Sequence, residues 1–133
     1  MSTNQCVLAV DDEKLVLDFI ERYLVRNGFE VRTALTAREA IETLEDFKPD
    51  IMLLDISMPE TDGYELARIL REDDRYKHIP IAFLSGHDIR WDAGESFDAG
   101  GEVYMRKPFS GEALINTVRA VIALEATGEN TEK

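Results

Sequence analysis

The sequence predicts an α/β fold: a doubly wound, five-stranded parallel sheet with helices on both faces. Two observations predict it. Five short apolar runs alternate with longer stretches whose apolar residues recur at helical spacing, the signature of strand–helix repeats and a covered parallel sheet. The polar residues that end those runs are chemically distinctive, as expected where parallel strands deliver their carboxyl ends to one edge. Right-handed crossovers favour the doubly wound arrangement. At 133 residues the chain suits one domain with a sizeable core. We place that domain at residues 1–125 and read 126–133, ATGENTEK, as a flexible tail or the start of a linker.

The elements follow in order. CVLAV (6–10) is the first strand and ends at Asp11-Asp12. Leu15, Val16, Phe19, Ile20, Tyr23 and Leu24 then recur at helical spacing, and Asn27-Gly28 stops that helix. FEVRT (29–33) alternates like a half-exposed strand. Thr36 with Glu39 three residues on is a capping box for a second helix, whose stripe is Ala37, Ala40, Ile41, Leu44 and Phe47. Asp50 and IMLL (51–54) give the third strand, with Asp55 its last residue. Asp62 suits the N-cap of a third helix lined by Leu66, Ile69 and Leu70, with Gly63 serving the backbone geometry there. IAFL (81–84) is the fourth strand, ending at Ser85-Gly86. Residues 87–99 carry a weak fourth helix: Ile89, Ala93 and Phe97 are spaced by four, but Gly94 interrupts and Trp91 lies off the stripe. EVYM (102–105) is the fifth strand, followed by Arg106-Lys107-Pro108, and Leu114, Ile115, Val118, Val121 and Ile122 mark the final helix.

On such a sheet Asp11, Asp12, Asp55, Ser85 and Lys107 meet at one rim. Two carboxylates about 5 Å apart repel by roughly 3 kcal/mol at an effective dielectric near 20. One lysine does not offset three acids, whereas a divalent cation does, and hard oxygen ligands favour magnesium over zinc. His78 and His87 offer no metal-ligand spacing, and Cys6 in its apolar run reads as an inert core thiol. The remaining chemistry suits phosphoryl transfer to a carboxylate. Asp55 would be the nucleophile, Lys107 would neutralise a phosphoryl oxygen, the Ser85 hydroxyl would donate to another, and Gly86 would leave room. Asp11 and Asp12 also suit the N-terminus of the helix that follows them. With 27 Asp+Glu against 15 Lys+Arg, a net charge of −12 disfavours direct nucleic-acid binding. The apolar runs fall short of a membrane span, no leader opens the chain, and a lone cysteine fits a reducing cytoplasm.

VDDE (10–13), LLDISMPETDGYEL (53–66), FLSGH (83–87) and YMRKPF (104–109) match, in order and spacing, the receiver domains of two-component response regulators, which the chain resembles over residues 5–124. The resemblance implies a flavodoxin-like sheet of order 2-1-3-4-5, the order known for that family rather than one the residues dictate. It implies that Asp55 takes a phosphoryl group from a histidine kinase or histidine phosphotransfer protein. It implies Mg2+ (or Mn2+) held by Asp12 and Asp55 directly, by Asp11 through water and by the backbone carbonyl of Ser57. Ser85 and Tyr104 would form the switch, Tyr104 turning inward when Ser85 moves, although an aromatic near a strand end also suits plain packing. The Lys107-Pro108 bond would be cis. Ser57 and His87 stand where side chains tune phosphate lifetime. The small Ser57 argues for open access, and His87 either bonds a water or sits in solvent.

The expected output is a change of partner interactions, displayed over residues 87–125 to a downstream protein, to an output domain of a longer regulator, or to a second copy in a phosphorylation-dependent homodimer. Residues 87–99 would be a mobile part of that response, and Trp91 either packs on its own domain or touches a partner. Two other readings compete. An aspartate-nucleophile phosphohydrolase would carry a D-x-D pair, and Ser57 occupies its second position. An interaction module with a dead site would not need the complete set of three acids, serine and lysine.

Overall fold

The computed structural model describes residues 4–86 and 103–127. Its strands are β1 (Cys6–Val10), β2 (Glu30–Ala34), β3 (Ile51–Asp55), β4 (Ile81–Ser85) and β5 (Val103–Arg106). Its helices are α1 (Lys14–Arg26), α2 (Ala37–Leu44), α3 (Gly63–Arg71) and α4 (Gly111–Thr127). The strands pair in parallel in the order β2-β1-β3-β4-β5. The fold is therefore the doubly wound flavodoxin-like sheet. The segment 87–99, with Trp91 and His87, lies outside the described residues.

Successive side chains of the strands point to opposite faces, and both faces are packed. Leu8, Val10, Met52, Leu54, Ile81 and Phe83 join residues of α2 and α3 in one core. Val7, Ala9, Ile51, Leu53, Ala82 and Leu84 join α1 and α4 in the other. This two-sided burial explains why β3 and β4 read as unbroken apolar runs. It also fixes register, because a slip of one residue would exchange the two cores wholesale.

The helices are held by the expected local chemistry, with some shifts. The Thr36 hydroxyl accepts from the Glu39 N–H at 3.0 Å. The reciprocal arm reaches one residue further back than in a standard capping box, Glu39 Oε1 accepting from the Leu35 N–H at 2.8 Å. Gly28 takes φ 91° where α1 stops, a conformation that costs glycine little. In α1 the buried residues are Leu17, Ile20 and Leu24, while Leu15 is 83% exposed. The predicted stripe was thus placed one edge too far round. In α3 the buried side is Tyr64, Leu66, Ala67 and Leu70, and Ile69 is exposed. β2 starts one residue later than predicted, and β5 runs one residue further, to Arg106. Asp50 precedes β3 and uses its carboxylate to accept from the Cys6 N–H at 2.7 Å, tying the first turns of β1 and β3 together. α4 includes Ala126 and Thr127, which the sequence reading gave to the tail.

Candidate functional site

Register builds the site. Val10 pairs with Leu54, so the next residues, Asp11 and Asp55, emerge side by side at the carboxyl ends of β1 and β3. This is the point where the strand order reverses, and where open α/β sheets bind ligands. Asp55 in turn pairs with Leu84, and Ser85 with Arg106, which puts Ser85 and Lys107 along the same rim. Carboxylate oxygens of Asp11, Asp12 and Asp55 all lie within 4.8 Å of one another. Asp11 and Asp55 are buried and Asp12 is exposed. The acids meet because Asp55 ends β3 while Asp11 and Asp12 are the two residues that directly follow β1.

Lys107 completes the cluster from the loop after β5. Its Nζ lies 2.8 Å from Asp11 Oδ2, 3.4 Å from Asp55 Oδ1 and 3.5 Å from Glu13 Oε1. Its own backbone N–H donates to the Ser85 carbonyl at 2.7 Å, which fixes the loop at the end of β4. Burial alone would lower the ammonium's pKa, but the hydrogen bond and charge of Asp11 and the charge of Asp55 outweigh that and raise it. Asp55 is pushed up from 3.8 to about 7, first by burial and then by the Asp11 charge, with Lys107 and the Ser57 N–H acting the other way. That N–H donates to Asp55 Oδ1 at 3.4 Å, and the Glu13 N–H donates to Asp11 Oδ1 at 2.9 Å. Asp11 Oδ2 is different. It is buried and meets the Lys107 ammonium at 2.8 Å, a contact too poorly aligned to satisfy it fully.

The donor set fits a hard dication. Three carboxylates offer oxygen ligands at one spot, one buried oxygen is under-satisfied, and the Lys107 ammonium reaches Asp11 and Asp55. Glu13 was not assigned a role from the sequence, although it sits inside the VDDE motif. Its reach to Lys107 follows from its place at the N-cap of α1.

The loop after Asp55 turns on two residues. Asp62 caps α3, its Oδ1 accepting from the Glu65 N–H at 2.9 Å. Gly63 is required for space rather than for an unusual φ, which corrects the sequence reading. A methyl group there would press into the backbone carbonyl of Asp55, well inside van der Waals distance. The Gly63 N–H meanwhile donates to the Ile56 carbonyl at 3.1 Å. The first turn of α3 is thus seated on the backbone of Asp55. We expect Gly63→Ala to cost about 1–3 kcal/mol, because the obstruction is backbone and cannot swing away. Urea unfolding at wild-type midpoint would contradict this.

Of the remaining predicted residues, Ser85 is fully buried, Ser57 is exposed and Tyr104 is partly buried against the core that holds Phe83. The Tyr104 ring lies 5.8 Å from that of Phe83, and its hydroxyl is 2.5 Å from that of Tyr64. Lys107-Pro108 is cis. Beside the rim, Leu15, Val16, Phe19, Pro108 and Phe109 line a largely apolar groove of about 440 Å³, with Glu13 and Lys107 at its edge. Sequence reasoning missed this groove, since it joins the start of α1 to a loop some ninety residues away.

Fold and site together define a class: a doubly wound α/β domain with a lysine-bound acid cluster at its topological switch point. The chain belongs to the response regulator receiver domain family, whose profile matches residues 7–119. It is 34% identical over 119 residues to the alkaline phosphatase synthesis transcriptional regulatory protein PhoP of Bacillus subtilis, covering 90% of this chain and 49% of that one. It is 32% identical over 114 residues to the protein PilG of Pseudomonas aeruginosa, covering 86% of this chain and 84% of that one. Among solved structures, the chemotaxis protein CheY4 of Vibrio cholerae superposes with a TM-score of 0.86 at 30% identity, covering 90% of this chain and 99% of that one. The chain spans about half the length of several of the curated relatives it matches. Among the described residues no helix is long and apolar enough to cross a membrane.

Proposed function

We propose that the chain accepts a phosphoryl group on Asp55 from a phosphohistidine and uses it to switch its partner interactions. The observation that carries this reading is the convergence of Asp11, Asp12 and Asp55 within 4.8 Å, with the Lys107 ammonium on two of them. An Asp55 oxygen attacks phosphorus, the P–N bond of the donor breaks, and the imidazole leaves with the electron pair. Lys107 offsets charge on a transferred oxygen, and the Ser85 hydroxyl is the second donor. Asp11, Asp12, Asp55 and the Ser57 carbonyl would hold magnesium or manganese, which supplies charge neutralisation for the transfer. Asp55 acts as a carboxylate, so its raised pKa makes a proton a competitor of that ion.

The donor is a histidine kinase or histidine phosphotransfer protein. The apolar groove beside Lys107, with Leu15 standing 83% exposed at its edge, supports docking of an amphipathic helix that carries the histidine. The small Ser57 supports ready access of water to the acyl phosphate, and His87 tunes that lifetime from the other side. Tyr104 and α4 display the outcome to a downstream protein, to an output domain of a longer regulator, or to a second copy. The protein would act in the cytoplasm, where such donors are found.

Incubation with acetyl phosphate and magnesium should add one phosphate per chain, read by intact mass. Asp55→Asn should abolish it. Rapid multiple turnover of varied phosphate esters would overturn the reading in favour of a hydrolase. Unchanged labelling of Asp55→Asn would displace the acceptor.

A further inference from the structure

Tyr64 immediately follows Gly63, and it is one of the most deeply placed aromatics of the domain, 2% exposed. Its ring meets Phe83 edge-on, centroids 4.9 Å apart at 63°. Phe83 is fully buried and lies two residues before Ser85 on β4. Tyr104 leans on the other side of Phe83 at 5.8 Å and 48°. The two tyrosine hydroxyls then close a ring of contacts by hydrogen-bonding to each other at 2.5 Å. Three aromatics from α3, β4 and β5 thus form one unit directly behind the rim.

The position of Tyr64 is set by Asp55. Gly63 sits flush against the Asp55 carbonyl, and its N–H is bonded to the Ile56 carbonyl, so the helix start has no slack relative to the acceptor strand. Tyr104 is only partly buried and belongs to β5, an edge strand of the sheet. Of the two partners, Tyr64 is the anchored one and Tyr104 the one with room to move.

We infer that Tyr64 is a positioning residue for Tyr104: with its backbone seated against Asp55 through Gly63, its hydroxyl holds the Tyr104 ring against Phe83 and sets the fraction of chains with Tyr104 packed in. This connects the Asp55 backbone to β5 by a route that does not pass through Ser85. The inference rests on the receiver reading only for the meaning of Tyr104's position, and the contact itself exists in the unphosphorylated chain. A neutral hydrogen bond of ordinary net strength corresponds to a roughly 2- to 12-fold change in a two-state ratio. A bistable side chain is biased by an amount of that size, and a rigid one is not.

The test is NMR of ring-13C tyrosine in the full chain, with the four tyrosines assigned by single Phe substitutions. It is run first without magnesium or phosphate. In Tyr64→Phe, which keeps the ring and its packing on Phe83, the Tyr104 resonance should move toward its solvent-exposed shift by a population change of about 2- to 12-fold. A soluble paramagnetic probe should broaden it more than in the unsubstituted chain. A change under about 2-fold in a folded Tyr64→Phe would overturn the inference. Should that variant fold poorly, hydroxyl-proton exchange in the unsubstituted chain decides. Slow exchange that Tyr104→Phe abolishes supports the bond, and fast exchange refutes it. Failure of acetyl phosphate to label any variant would defeat the receiver reading while leaving these phosphate-free results to judge Tyr64 by themselves.

Discussion

Lys107→Met should destabilise the magnesium-free protein by about 3–5 kcal/mol at pH 8, the usual cost of removing one partner from a buried charge cluster. Methionine keeps most of the lysine stem, so the change isolates the ammonium. In the native protein the Lys107 side chain is 18% exposed and its ammonium touches Asp11 and Asp55, whose side chains are 0% and 5% exposed. Without it two carboxylates face each other away from water. Asp55, already raised to about 7 with Lys107 present, rises further without it. The sign of the pH dependence follows. Between the unfolded value of about 3.9 and its folded value, Asp55 is protonated when native and ionised when unfolded. The native state then binds the extra proton, so stability falls as pH rises through that window. In Lys107→Met the window extends upward, and the deficit should be large at pH 8 and shrink by pH 5. Lys107 itself stays charged throughout, since its acids raise its pKa. Urea unfolding at the two pH values provides the check. An equal deficit at both, or one below about 1 kcal/mol at pH 8, would mean that the ammonium is not what holds the acids together.

Much of this site was legible before any coordinates. Strand ends are where an apolar run meets a charge, and β1, β3 and β4 announce theirs as Val10-Asp11, Leu54-Asp55 and Leu84-Ser85. Parallel pairing then converts positions on the chain into neighbours on the rim without further information. Asp62 as the cap of α3 was equally local, a side chain three residues from the N–H it receives. What was not legible depends on three-dimensional approach. The stripe of α1 could be read through Leu15, four residues before Phe19, or through Leu17, three before Ile20 and seven before Leu24. The choice is made by which residue faces the sheet beneath α4. Ile69 looks as apolar as Leu66 and Leu70 but falls on the outer side of α3. The seat of Gly63 on the Asp55 carbonyl leaves no trace beyond a glycine, and the Tyr64–Tyr104 bond joins residues forty positions apart. Local rules see caps and strand ends, whereas contacts made across a finished sheet need the sheet.

Asp55→Asn should act in the opposite direction, stabilising the magnesium-free protein at pH 8 by on the order of 2–3 kcal/mol. A carboxyl raised from 3.8 to about 7 is protonated in the native protein where the unfolded chain is ionised. Each unit is worth about 1.4 kcal/mol, so an ionised Asp55 weighs against the fold by on the order of 4 kcal/mol once pH exceeds the folded value. Asparagine keeps the shape and can still accept the Ser57 N–H, but its amide hydrogens gain nothing from Lys107, which trims the benefit. Below about pH 4 the aspartyl group is protonated in both states and the two proteins should converge. Saturating magnesium should narrow the gap from the other side, because an ion bound by the native wild type adds stability that the variant, short of one ligand, receives less of. The Lys107→Met and Asp55→Asn changes should not add. With the acid gone, removal of the ammonium strands one buried carboxylate instead of two, and the coupling should exceed about 1 kcal/mol. Equal stabilities of wild type and Asp55→Asn at pH 8 would show that Asp55 is comfortable as an anion in the absence of metal. The rim would then be a settled salt bridge. A lasting excess in the variant instead identifies a site that holds an unfavourable charge in place until a cation or a phosphoryl group arrives.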